Sequence, residues 1–313
     1  MPLSCTLIPS GLTEPVLSGS VRRNGLDITF SRGNIDDNSR GMIAGKYDIA
    51  EMSIGTYVQA KSHGVDLIAL PIILGRRFLQ PCVLYGEKTK LESPADLRGK
   101  KIAFPQFWMT SSVWHRGHLE HEYGVGSTEV EFLTTQDERV DAGFTPGVKV
   151  RQIANRPLLE FFKMIPDLLE DGTADVIFAP RLFDYLMDTR RLFADPLAAT
   201  LEYRKRTGIY PLMHSIVLKR SVLAERPELP AALADLFTRA KEAAYADQAA
   251  ELESPLPGTT FAQARSLLGQ DPYPFGIEAN RASLEAFFAY CFEQKLSSSR
   301  VTMAESFVEA TPG

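Results

Sequence analysis

Short apolar runs of strand length alternate with helix-patterned stretches through the first 200 residues, and this alternation constrains the chain more than any other feature. A strand that is apolar along its whole length must be covered on both faces, and helices in the crossovers between parallel strands supply that cover, so the pattern reads as α/β with mainly parallel sheets. Strands are expected at residues 3–8, 26–31, 47–51, 67–74, 82–85, 101–104, 129–132, 176–179 and 215–218. Helices suit 36–46, 53–62 (with Ser53 as N-cap) and 157–171, the last stopped by Gly172. Ser93 can cap a short turn that opens on Pro94 and closes at Gly99, and Thr110 or Ser111 can cap a helix that runs to Gly124. After Leu223 the spacing is helical through Ala250, and a Pro/Gly-rich break at 254–258 precedes further helices ending near Leu296.

The 313 residues suffice for two domains of ordinary size, and 44% hydrophobic with 23% charged residues is the composition of a globular protein. A formal net charge of -5, from 34 Lys+Arg against 39 Asp+Glu, argues against a nucleic-acid partner. Cys5, Cys82 and Cys291 lie far apart, so neither a disulfide framework nor a zinc ribbon is indicated. The longest apolar run, 67–74, falls well short of the roughly 18 residues of a membrane span, and the N-terminal stretch lacks a basic region and a long apolar run before Pro9. A soluble cytoplasmic protein with no membrane partner is expected. No G-x-S-x-G elbow, P-loop or dinucleotide-binding glycine fingerprint is present.

The stretches GKYDIA (45–50), SPADLRGKKI (93–102) and LLEDGTADV (168–176) together resemble the type II periplasmic-binding-protein fold. Within that superfamily, EMS (51–53), MTSSVWHRG (109–117), HEYG (121–124), APR (179–181) and YPLMH (210–214), occurring in this order, are similar to the 4,5-dihydroxyphthalate decarboxylase family. The resemblance implies a two-lobed α/β fold with the ligand cleft between the lobes. Residues 1–88 plus 205–313 would form a discontinuous first lobe with a helical C-terminal part and 89–204 the second, with crossovers near 85–91 and 195–214. It also implies loss of one ring carboxylate from a dihydroxylated aromatic dicarboxylate, with no metal or other cofactor.

Arg76 and Arg77 follow the 67–74 strand at its C-terminal end, where α/β sheets tend to bind ligands, and a guanidinium fork matches a carboxylate. Both are equally readable as solvated surface residues. Thr110 and Ser111 open a helix directly after a strand, so free amides and the helix dipole suit an anion there, while capping alone also explains them. Arg181, at the end of the 176–179 strand, is placed to close on a second carboxylate. His214 is the preferred proton donor, because imidazole can hold and release a proton near neutrality, although a hydrogen-bonding role between lobes is an even alternative. Glu51 and Ser53 end a strand and suit the ring hydroxyls, Glu51 being also a candidate ion-pair partner of Arg76 or Arg77.

His115, His118, His121 and Glu122 crowd one helix, but their spacing is not that of a zinc protease, and no metal ligand is assigned. Trp114, Gly117 and His121 are expected toward the core, with His115 and His118 nearer the surface or cleft and Arg116 in a salt bridge. Phe104, Phe107, Trp108 and Trp114 are either stacking partners for a ring or core. Leu284, Phe287, Phe288 and Phe292 form an apolar stripe that fits either a homodimer face or the core. The expected activity is a decarboxylase acting through ring protonation. His214 would be the acid, Glu51 would draw the phenolic proton, and Arg76, Arg77, Arg181 and the Thr110 helix would grip the carboxylates of a small aromatic substrate. The rival is a non-catalytic solute-binding protein feeding an ABC transporter.

Overall fold

Two five-stranded sheets organise the computed structural model, which describes residues 2–140, 143–247 and 251–308. The chain begins with β1 (Leu3–Leu7), α1 (Glu14–Leu17), β2 (Ile28–Arg32), α2 (Ile35–Ile43), β3 (Ile49–Ser53), α3 (Ile54–Ser62) and β4 (Leu67–Arg76). It continues with β5 (Val83–Tyr85), β6 (Lys101–Phe104), α4 (Thr110–Tyr123), β7 (Glu131–Thr134), β8 (Lys149–Gln152), α5 (Leu158–Glu170) and β9 (Val176–Phe178). Then come α6 (Pro196–Thr207), β10 (Leu212–Lys219), α7 (Arg220–Glu225), α8 (Leu229–Ala246), α9 (Phe261–Leu268), α10 (Arg281–Glu293) and α11 (Met303–Ser306).

The first sheet has the order β2-β1-β3-β10-β4 and the second β5-β9-β6-β7-β8. In each, one strand runs against the rest: β10 is antiparallel to β3 and β4, and β5 to β9. The apolar run of β4 explains its place. Leu67, Ala69 and Ile73 enter one core cluster while Ile68, Leu70, Ile72 and Leu74 enter another, so the sheet is covered on both faces.

Three features differ from the sequence-based expectation. β5, expected in a first lobe reaching residue 88, pairs with β9 of the second sheet, so the crossover lies ahead of Val83. On the return, Leu192 still donates to the Val83 carbonyl, and α6, unexpected within the proposed crossover, packs beside Gln80–Cys82. β8 was not expected either. It is a short edge strand, Lys149 to Gln152, whose mostly exposed polar residues carry no apolar alternation.

The C-terminal helix α10 lies against α4 of the second lobe. Trp114 packs on Phe287 with ring centroids 5.1 Å apart. A Cβ on Gly117 would stand 2.1 Å from the Tyr290 ring, so only glycine allows this crossing. Leu284, Phe287 and Phe288 are buried here, which removes the stripe as a dimer face and leaves only Phe292 partly exposed. Among the described residues no helix is long and apolar enough to cross a membrane.

Candidate functional site

The end of β3 delivers Glu51 and Ser53, and β10 places His214 between Ser53 on one neighbour and Gly75 of β4 on the other. The β10–β4 register is irregular here, with shifts between Leu212 and Ile216, a device that re-aims side chains at the end of a ladder. His214 Nδ1 lies 3.0 Å from Glu51 Oε1, and Glu51 Oε2 accepts from the Ile8 backbone N–H at 2.9 Å. Asn38, itself held by the Thr6 hydroxyl, donates to the Glu51 carbonyl at 3.3 Å. The Glu51 side chain is 4% exposed and that of His214 28%, so the carboxylate is sealed below while the imidazole reaches the cavity. Nε2 of His214 has no protein partner among the described residues. A Cβ on Gly75 would stand 2.9 Å from His214 Nδ1, so the ring lies flat across a glycine.

Opposite this pair stands the first turn of α4. Thr110 Oγ1 is 2.7 Å from Ser53 Oγ and accepts from the Gly55 N–H at 2.9 Å. Ser53 therefore spends its hydroxyl across the cleft instead of capping α3. Ser111 is buried beside it, in the turn whose amides have no intrahelical acceptor. Further bonds join the lobes: Arg139 Nε to Asp36 at 2.6 Å, Arg139 to the Thr56 hydroxyl at 3.1 Å, and Arg77 to the Pro180 carbonyl at 2.8 Å. Burial works against the Asp36 carboxylate, but the charge and hydrogen bond of Arg139 outweigh it and hold its pKa below the usual range.

Glu51, Ser53, Arg76, Arg77, Thr110, Ser111, Arg181 and His214 all line one cavity of about 860 Å³ between the lobes. The arginines differ in what they have left to offer. Strand alternation turns Arg76 away from His214. Its guanidinium is buried 4.4 Å from the Tyr210 ring centre and donates to the Tyr210 carbonyl, and desolvation pulls its pKa down to about 10. Its Nε and second Nη are buried with no hydrogen-bond partner among the described residues, so Arg76, which lines the cavity, still has two donors to offer. Arg77 is committed to Pro180 and to an ion pair with Glu253. Neither pairs with Glu51. Arg181 is exposed, rests 4.6 Å from the Phe183 ring centre, and has no acceptor among the described residues. Arg156, which sequence reasoning missed, is equally exposed and free on the same cavity wall. It sits just before α5, after the strand β8 that carries no apolar signal.

The histidine helix is arranged in the reverse of the expectation. His115 is buried, stacked on Phe178 at 4.4 Å, and burial lowers its pKa to about 3. His118 meets the Tyr203 ring edge-on at 4.6 Å, with its pKa lowered to about 4 by burial. His121 is the exposed one, 2.7 Å from Glu293, and Glu122 pairs with Arg206. Among the described residues no three His, Cys, Asp or Glu groups converge on a metal position. Arg116 makes no salt bridge. It lies 3.8 Å from the Phe107 ring centre and donates to the Phe107 carbonyl and to Gln294. Phe104, Phe107, Trp108 and Trp114 are core, and the aromatic rings on the cavity wall are Phe162 and Tyr273.

Two sheets with a cleft between them, helix N-termini facing it and a carboxylate–histidine pair on its floor define a protein of the periplasmic-substrate-binding fold with a reactive-looking centre. Residues 23–146 match a family described as the phosphonate ABC transporter periplasmic substrate-binding protein. The putative periplasmic sulfonate-binding protein SsuA from Methylobacillus flagellatus KT superposes with a TM-score of 0.62 at 12% identity, covering 99% of this chain and 92% of that one. The desulfurization enzyme DSZB superposes at 0.56 and 16% identity, covering 98% and 96%. In sequence, the 4,5-dihydroxyphthalate decarboxylase of Comamonas testosteroni is 30% identical over an alignment of 314 positions that covers 95% of this chain and 93% of its own length. The chain belongs to the 4,5-dihydroxyphthalate decarboxylase family.

Proposed function

We propose that this protein is a carboxy-lyase that removes one ring carboxylate from a 4,5-dihydroxyphthalate-like acid. The observation that carries the reading is the Glu51–His214 pair. Glu51 is occupied on both oxygens, so it positions His214 and does not serve as the base expected for the phenol. With Nδ1 held by Glu51, His214 presents Nε2 to the cavity as the acid.

Direct loss of CO2 from an arene would strand an electron pair in the ring plane. Protonation at the carboxyl-bearing carbon avoids this: the para hydroxyl pushes electron density into the ring, and the new C–H bond takes the proton from Nε2. The C–C bond then breaks, its electrons restore the aromatic ring, CO2 leaves, and His214 regains a proton from solvent. Such a positioned acid contributes roughly 10²–10⁴ in rate. The unpaired guanidinium groups of Arg156 and Arg181 are suited to the carboxylates, and the Ser53–Thr110 hydroxyls to a ring hydroxyl. Interlobe contacts fix the position of one cleft wall against the other. On the same reading the protein works in the cytoplasm.

The test is CO2 release from 4,5-dihydroxyphthalate by chelator-treated protein. Turnover is expected, with a fall of about 10²-fold or more in His214→Ala while binding persists. Unchanged turnover in that variant would remove His214 as the acid. Binding without product in the native protein would instead favour the solute-binding role, which the family match over 23–146 supports.

A further inference from the structure

The cavity is large for a one-ring acid. Its volume of about 860 Å³ lies near the upper end of the roughly 300–1,000 Å³ range of clefts that bury drug-sized ligands. This is not the volume of lobes standing apart, because Ser53–Thr110, Asp36–Arg139 and Arg77–Pro180 are already bonded across the cleft. The groups that would meet a hydroxylated ring come together where β3, β10 and α4 meet: His214 pairs in register with Ser53, whose hydroxyl is 2.7 Å from that of Thr110. Another part of the wall is apolar: Leu158, Leu159 and Phe162 from the start of α5, with Leu252 from the C-terminal part of the chain. α5 turns Phe161, Phe162, Ile165, Leu168 and Leu169 into the core, Phe162 meeting the cavity only at its edge, yet leaves Leu159 65% exposed beside the cavity. A single exposed leucine is ordinary on a protein surface, but on the wall of a concave cavity that Leu158 and Leu252 also line, it is apolar surface that a ligand can cover.

We propose that the cleft takes a hydroxylated aromatic acid larger than a single ring, whose apolar substituent or second ring lies between Leu158, Leu159 and Phe162 on one side and Leu252 on the other. The proposal rests on reading the site as one for hydroxylated aromatic acids. It makes Leu159 a specificity-determining residue that touches the substrate away from the reacting carbon.

Calorimetric titration of the purified chain with 4,5-dihydroxyphthalate and with 4,5-dihydroxy-3-phenylphthalate tests it. The phenyl acid is expected to bind at least tenfold more tightly. Leu159→Ser, a neutral change at a mostly exposed position, should erase most of that gain and leave the one-ring acid within twofold. Leu252→Ser should do the same from the other wall. Equal or weaker binding of the phenyl acid, or a gain that survives both substitutions, would overturn the proposal. CO2 release, measured in parallel, reads the decarboxylase assignment separately: turnover of the one-ring acid without a phenyl gain sinks only the larger-substrate inference. Differential binding with no CO2 from either acid sinks only the decarboxylase. Failure of both acids to bind refutes both.

Discussion

Gly75→Ala adds one carbon, and the structure says where it goes. The new Cβ would stand 2.9 Å from His214 Nδ1 and 3.0 Å from its Cγ, inside ordinary van der Waals contact. Gly75 has no positive φ, so alanine meets no backbone strain and the effect falls on the imidazole. The ring must move by about half an ångström or more to restore contact distance. That movement breaks or bends the 3.0 Å bond to Glu51. A hydrogen bond to a charged group contributes about 1.5–3 kcal/mol, and at about 1.4 kcal/mol per tenfold the expected loss in kcat is roughly 10- to 100-fold. KM should change by less than about threefold, since the misplaced group is the acid and not a binding residue. The assay is steady-state CO2 release together with a thermal melt, for Gly75→Ala alone and combined with His214→Ala. If the glycine acts through the histidine, it should cost nothing further once the imidazole is gone. A kcat within twofold of the native value, or the same loss in both backgrounds, would refute the reasoning.

Asp36→Asn leaves the Arg139 guanidinium, 3% exposed, without its counterion between the lobes. Because Asp36 is partly solvated, a loss of about 2 kcal/mol, below the roughly 3–5 kcal/mol of a fully buried broken pair, is expected, with a melting temperature lower by roughly 5 °C and a raised KM; an unchanged melt would show that the pair does not join the lobes energetically. His115→Phe addresses acid sensitivity. The folded-state pKa of about 3 lies below the ordinary histidine value, so between the two the unfolded chain binds a proton that the folded chain refuses. Stability supported by neutral His115 is thus present above about pH 6.5 and is lost as the pH falls toward 3. Phenylalanine keeps the stack on Phe178 without titrating, so urea unfolding at pH 7 and pH 5 should show a loss smaller by about 2 kcal/mol in the variant. Identical losses in both proteins would mean that His115 is not held neutral by burial.

Much of the site was legible because strand ends and helix starts are local signals. The EMS and YPLMH stretches led to Glu51, Ser53 and His214, and the strand-to-helix step led to Thr110 and Ser111, all of which line the cavity. Arg76 and Arg77 were placed at the right strand end, but their freedom was not readable. Whether an arginine meets ligand, a backbone carbonyl or an aromatic ring depends on alternation past Gly75 and on partners such as Tyr210 and Glu253, far away in sequence. Arg156 escaped notice because β8 and the turn before α5 show no apolar period. On α4, counting residues along a helix could not tell which flank would meet the second sheet and which the C-terminal helix α10, so His115 and His121 exchanged places.

By itself, then, the order of residues determined what local forces decide: which segments become strands or helices, where caps and glycines end them, and that mainly parallel sheets covered by helices result, while the division into two lobes was implied by the family resemblance. Only the tertiary structure decided which groups meet. Glu51 and His214 are 163 residues apart, and their contact exists because β10 returns between β3 and β4 and lays the imidazole across Gly75. Periodicity is written along one segment, whereas a catalytic pairing depends on strand order, register and the packing of two lobes that no single segment encodes.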